Sequence, residues 1–175
     1  MRCIMAKKSR NITLIKSIDE LKDEVNFEDF EYKEYFSHLC NLIPNDEKER
    51  LEIEVIDKES MKKKGAVYIF VIEGKIFKIG QTIDTLKKRI GSYNCGKLEY
   101  RAKGTCSTTN FFVLQSLLRI NKKVEVYTYY PDAPRYNLFG KEYHDTWPVS
   151  KKAENIIIKD FLKNHDKKPI GCTQS

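Results

Sequence analysis

Tyr68 and Lys78 carry a phenol and an ammonium in two neighbouring apolar runs, Gly65-Ala66-Val67-Tyr68-Ile69-Phe70 and Phe77-Lys78-Ile79-Gly80. The two runs read as the arms of a β-hairpin. Arg89 and Tyr93 follow on a helical stretch, and a single carboxylate, Glu154, stands much later beside the apolar stripe of another helix. A phenol, cations and one carboxylate are what metal-assisted hydrolysis of a phosphodiester requires. The reaction needs an activated water, charge relief on the phosphoryl oxygens, and help for the leaving 3′-oxygen.

A free phenol titrates near pH ~10 and is a poor base at neutrality unless its anion is stabilised. Lys78 directly across the hairpin, with Arg89 nearby, would favour the phenolate and lower that pKa. Tyr68 is therefore expected to accept the water's proton. A tyrosine merely packed on a strand is the plainer alternative. Arg89 offers a forked donor that lysine cannot copy, and Tyr93, one turn on, could bond the same phosphate or orient the water. Glu154 shares a helix face with Ile157, Ile158 and Phe161. An ionised carboxylate there is costly unless paired or bound to a cation. Lys151 or Lys152 could pair with it, and so could a hard divalent ion such as Mg2+. Gln81 follows the glycine in a position to touch backbone or phosphate.

The elements that must hold these groups are read from periodicity and punctuation. Residues 17–43 read as two helices, the first capped by Ser17 and the second striped by Phe30, Tyr35, Leu39, Cys40 and Ile43. Leu51, Ile53 and Val55 alternate over a short strand-like piece. In the hairpin, a three-residue loop Ile72-Glu73-Gly74 sets Val67 against Ile79, Ile69 against Phe77 and Tyr68 against Lys78, giving one clean apolar face. Residues 84–94 form a helix, 94–109 a polar loop, 108–121 a buried helix and 124–130 a strand. Residues 131–148 are an aromatic loop or irregular hairpin, Ser150 caps a final helix to about residue 164, and 166–175 is a polar, basic tail.

A chain of 175 residues is long enough for one domain with a real core, or a core plus an appendage. Lys and Arg outnumber Asp and Glu by 32 to 25, a net +7, and the excess is concentrated in residues 62–123. That suits a surface for a polyanion, and equally a solvated lysine-rich one. Five cysteines without a C-x-x-C pair fit neither a zinc site nor a disulfide framework, which points to reduced thiols in the cytosol. His38, His144 and His165 stand alone and are assigned no metal. No apolar stretch approaches a membrane span, and residues 1–10 have no hydrophobic region of a signal peptide behind them. A start at Met5 rather than Met1 is open.

The paired runs also resemble a known family. Ala66-Val67-Tyr68, Lys78-Ile79-Gly80 and then Gln81-Thr82 are similar to the two tripeptides that name the GIY-YIG nucleases, with Arg89, Tyr93 and Glu154 in the remaining slots. Ala66 stands where the name has Gly, and Lys78 where it has Tyr. Either Tyr68 then carries the role of base, or Lys78 is the base itself. Nearly the whole chain resembles the small type II restriction endonucleases of that superfamily, through residues 93–97, 104–110 and 168–173 as well.

The resemblance implies an α+β fold: a small antiparallel three-stranded sheet flanked by helices, with a helical N-terminal region over 1–64. It implies a nuclease core over 65–165 with an insertion at 94–121 for DNA recognition, and a basic tail over 166–175. It turns Glu154 toward the metal, one Mg2+ per active site, and makes Tyr68, Lys78, Arg89, Tyr93 and Glu154 the catalytic set. Lys97, Arg101 and Lys103 would hold phosphates, and Ser107, Thr108, Thr109, Asn110 or Gln115 would reach base edges. The implied activity is Mg2+-dependent cleavage of both strands at a short palindromic or interrupted palindromic site in double-stranded DNA. A homodimer would match that symmetry. A cognate DNA methyltransferase acting on the same site and a bacterial cytoplasmic setting are implied with it. The alternatives are a structure-specific repair or mobile-element nuclease on the same core, and a non-catalytic DNA-binding module.

Overall fold

The computed structural model describes residues 12–144 and 149–172. The readings of residues 1–10 and of the end of the tail, 173–175, lie outside the described residues. Where helices were expected between 17 and 43, the chain makes three short 3-10 turns, Ile18–Leu21, Phe27–Asp29 and Lys33–Tyr35, and then strand β1, Ser37–Asn45. Tertiary pairing overrides the helical spacing here. The Phe27 N–H donates to the Gly74 carbonyl at 2.8 Å, and the Ile76 N–H donates to the Val25 carbonyl at 2.9 Å. Residues 25–27 are thereby tied to the tip of a neighbouring hairpin before a helix can form. Ser, His, Cys, Asn and aromatic residues offer weak helix propensity against that. Strand β2, Arg50–Val55, is the alternating segment and pairs with β1.

Strand β3, Lys64–Ile72, and strand β4, Lys75–Thr85, form the expected hairpin in a different register. The turn has two residues, Glu73 and Gly74, both at positive φ (47° and 79°), as a type I′ turn requires. Phe77 is then an extra residue on β4, because Val71 pairs with Ile76 while Phe70 pairs with Lys78. Tyr68 consequently lies across from Gly80, not Lys78. The expected register assumed one wet face, whereas β3 is buried on both faces from Gly65 to Ile72. A doubly buried strand carries no alternation to fix its register.

Helix α1, Leu86–Tyr93, is capped by Thr85, whose side chain accepts from the Lys88 N–H. A short helix α2, Leu98–Ala102, interrupts the expected loop, and helix α3, Thr108–Ile120, starts on a Ser107 cap. Strand β5, Val124–Tyr129, pairs with both β1 and β3. The result is one fully antiparallel five-stranded sheet, β2-β1-β5-β3-β4, rather than three strands. Of the two additional strands, β1 comes from the stretch expected to be helical, and β2 is the piece read as strand-like. Strands β6, Arg135–Leu138, and β7, Lys141–His144, form a separate exposed hairpin. Helix α4, Ser150–His165, follows, and a 3-10 turn at Ile170–Cys172 closes the described chain.

Two apolar layers sandwich the sheet. Tyr68, Phe70 and Phe77 pack with Leu86, Ile90 and Tyr93 of α1 and with Phe112, Leu114 and Leu117 of α3. Val67, Ile69 and Ile79 pack with Ile157 and Phe161 of α4 and with Phe27, Phe30 and Phe36 of the N-terminal turns. No helix among the described residues is long and apolar enough to cross a membrane.

Candidate active site

Gly80 decides where the Tyr68 phenol lies. A Cβ at Gly80 would stand 2.5 Å from both the Cζ and the hydroxyl oxygen of Tyr68, so the ring crosses β4 where only glycine leaves room. The Tyr68 hydroxyl is 2.5 Å from the Tyr93 hydroxyl. Arg89 bridges them from α1, its Nε donating to Tyr68 at 3.1 Å and its Nη2 to Tyr93 at 3.2 Å. The guanidinium also sits over the Tyr93 ring, 4.4 Å from the centroid. Both phenols are fully buried.

Burial pushes the Tyr68 pKa up, although Arg89 and a hydrogen bond from Tyr93 pull it down. The lowered pKa expected from the neighbouring cations is therefore overturned: desolvation of the phenolate outweighs the pull of Arg89. Burial also raises Tyr93, and the Tyr68 charge raises it further. Burial disfavours the Arg89 charge, but the two phenols more than offset it and its pKa is raised.

Lys78 is only 7% exposed. Its Nζ donates to the Gly171 carbonyl at 2.8 Å. Burial lowers its pKa; Cys172 opposes this, Arg89 adds to it and Glu154 opposes it. Lys78 forms one wall of a cleft of about 480 Å3, and Lys151, Glu154, Lys159 and Lys168 line it too. The Glu154 side chain is 12% exposed and accepts from Lys151 Nζ at 2.7 Å. The ion pair that the sequence offered for Glu154 is thus present. Its charge also acts on Tyr68 and Lys78, so the five catalytic candidates converge on one region.

Among the described residues no three His, Cys, Asp or Glu side chains cluster as a metal cage. Four lysines line the cleft against one carboxylate, so a hard cation such as Mg2+ would fit there with its other ligands from water and a phosphate, whose charge offsets the ammoniums. Glu154 is the residue that would hold it, in exchange for Lys151.

Gln81 Oε1 lies 3.0 Å from Ser150 Oγ, which is also 3.2 Å from the Thr82 carbonyl. Ser150 is buried and roots α4 on β4 instead of capping it; Val149 occupies the N-cap. The recognition candidates form a separate row on α2 and the first turn of α3. Lys97 is the N-cap of α2, Arg101 lies over the Phe111 ring, and Lys103 pairs with Glu99. Ser107 accepts from the Asn110 N–H at 3.1 Å, and Thr108, Thr109 and Asn110 are half-buried. Gln115 is buried and donates to Glu49 Oε1 at 2.8 Å and the Gly96 carbonyl at 3.1 Å, so it cannot read a base.

Sequence reasoning missed what ties this row down. Asn94 clamps the backbone of Leu51, accepting its N–H at 2.7 Å and donating to its carbonyl at 3.0 Å. Glu49 accepts from the Leu98 N–H at 2.7 Å. It also missed the docking of Gly171 and Cys172 against β4. A glycine inside a strand, Gly80, was the one signal available for a close approach.

The solved structure of restriction endonuclease HPY188I in complex with product DNA is similar to this chain, with 60% identity and a TM-score of 0.72. The likeness covers 99% of this chain and 100% of that one. A bacteriophage T4 EndoII mutant is similar at 20% identity and a TM-score of 0.56, over 78% of this chain and 95% of that one, which bears on the fold alone. No protein-family model matches the chain, and no curated protein does. Identity at this level along the full length of both chains means that the chain belongs to the restriction-endonuclease family of HPY188I and is a site-specific nuclease.

Proposed function

We propose that this protein is a type II restriction endonuclease that hydrolyses both strands of a short palindromic or interrupted palindromic DNA site, as a Mg2+-dependent homodimer. The observation that carries the reading is the full-length, 60%-identical relative with product DNA bound. The GIY-YIG assignment is supported by β3 and β4 carrying the paired tripeptides as neighbouring strands. A methyltransferase protecting the same site and a bacterial cytoplasmic setting belong to the same reading.

The chemistry follows from the side chains. Water attacks the phosphorus, its proton passes to the Tyr68 oxygen as phenolate, and the 3′-oxygen departs, leaving a 5′-phosphate. The ionised Tyr68 would keep two donors, Arg89 Nε and the Tyr93 hydroxyl. Two of the five Arg89 N–H groups serve the phenols, and the rest of the fork is available to phosphoryl oxygens. Glu154 would hold the cation, whose chemistry is charge relief at the leaving oxygen. Lys97, Arg101, Lys103 and Gln81 would hold phosphates, with Ser107, Thr108, Thr109 and Asn110 nearest the bases.

A second reading makes Lys78 the proton acceptor. The observation favouring it is that burial moves Lys78 toward the neutral amine and Tyr68 away from the phenolate.

Incubating the protein with sequenced linear plasmid and Mg2+, then sequencing the ends, tests the function. Discrete fragments with common ends are expected. Nicking that depends on flaps or junctions would favour a structure-specific nuclease, and tight duplex binding without any cleavage would leave only a binding module.

A further inference from the structure

The segment 167–172 is held against the body of the molecule at three points. Lys167 Nζ is 3.0 Å from Glu24 Oε1 and 2.6 Å from the Asp23 carbonyl, and the Ile170 N–H reaches Glu24 Oε2 at 3.3 Å. Glu24 is itself buried. Cys172 then latches onto β4: its thiol donates to the Ile79 carbonyl at 3.1 Å and accepts the Ile79 N–H at 3.4 Å. β4 is an edge strand, so the thiol serves backbone groups that a neighbouring strand would otherwise satisfy. Between these anchors, the Gly171 carbonyl accepts from Lys78 Nζ at 2.8 Å. A Cβ at residue 171 would stand 2.7 Å from the Phe77 carbonyl and 2.9 Å from Lys78 Cβ. Only glycine lets the turn approach this closely.

The hydrolytic scheme gives this arrangement no role, yet it touches one of the scheme's own groups. A lysine amine on four carbons is flexible, and a single fixed acceptor is enough to select its rotamer. We propose that residues 167–172 are a positioning element, in which Cys172 fixes the turn on Ile79 so that the Gly171 carbonyl aims the Lys78 amine into the cleft lined by Glu154. The inference rests on Lys78 being part of the catalytic machinery. Lys167, one of the basic residues of the tail, pairs with Glu24.

The test uses a duplex carrying the cut site mapped on plasmid, with enzyme in excess and Mg2+ added to start a single turnover. Cys172→Ala and Gly171→Ala should each cut at least about ten-fold more slowly, while affinity for the duplex without metal stays within about two-fold. Cys172→Ser, whose hydroxyl can donate and accept at the same place, should recover most of the rate. Should Cys172→Ala fail to melt cooperatively, Lys167→Ala, which loosens the same segment from Glu24, carries the test with a smaller loss. Unchanged rates in the folded variants, or rate and affinity falling together without serine rescue, would overturn the proposal. Lys78→Met separates it from its premise. A fully active Lys78→Met removes the role of Lys78, whereas an inactive one beside a fully active Cys172→Ala removes the positioning role alone.

Discussion

Two phenols share one guanidinium at the centre of the site. Arg89 gives one N–H to each oxygen, and a single proton bridges Tyr68 and Tyr93. The second phenolic proton is the one the site can give up. Tyr68→Phe is expected to keep duplex affinity and lose about 10²–10⁴ in cleavage rate, measured in a single turnover. Gly80→Ala should act nearly as severely from a residue with no side chain of its own. Its methyl occupies the space of the phenol, and a displacement of that size costs about 10² in rate. The acceptor is separable by pH. Both candidates act when deprotonated, so cleavage rises with pH under either. Tyr68 is raised above 10.0, which predicts a log-linear rise with unit slope from about pH 6.5 to 9.5. Lys78 is lowered from 10.5, which predicts a rise that levels off at a lower pH than the rise for Tyr68 would. The meeting of Tyr68, Arg89 and Tyr93 was legible in the sequence, from the strand run that carries Tyr68 and the i, i+4 spacing on α1. Their electrostatics were not, because the net direction for Tyr68 depends on a degree of burial that no spacing reveals.

Secondary elements carried the larger errors. The helices around Arg89 and Glu154 were readable from 3.6-residue stripes, and Leu51, Ile53 and Val55 from alternation. The stretch 17–43 misled because its aromatics recur at helical spacing while packing as 3-10 turns over α4 and β5. The hairpin register misled because both faces of β3 are covered. A contact invisible from either pattern is the Asn94 clamp at the end of α1, which joins the start of the recognition row to β2. Asn94→Ala leaves the Leu51 N–H and carbonyl without that partner and should cost about 1–3 kcal/mol, read from the shift of a urea midpoint at unchanged slope. Sequence selectivity should loosen with it, seen as new minor fragments on plasmid.

At the scale of the whole molecule, one sheet joins the strands of residues 37–55 to those of residues 64–85. β1 hydrogen-bonds to β5, and β5 in turn to β3, which carries Tyr68. A fragment beginning at residue 65 would therefore lose two strands and bare the β5 backbone along its length. Such a fragment should elute as large aggregates in size-exclusion chromatography, where the full chain should elute as a dimer. The seam has a kinetic side as well. The β3–β4 hairpin closes across two residues, but β1 must wait for a strand some eighty positions downstream. Refolding should accordingly run in two stages, with the pocket around Tyr68 taking shape ahead of the outer strands and the enzyme regaining activity only at the slower step.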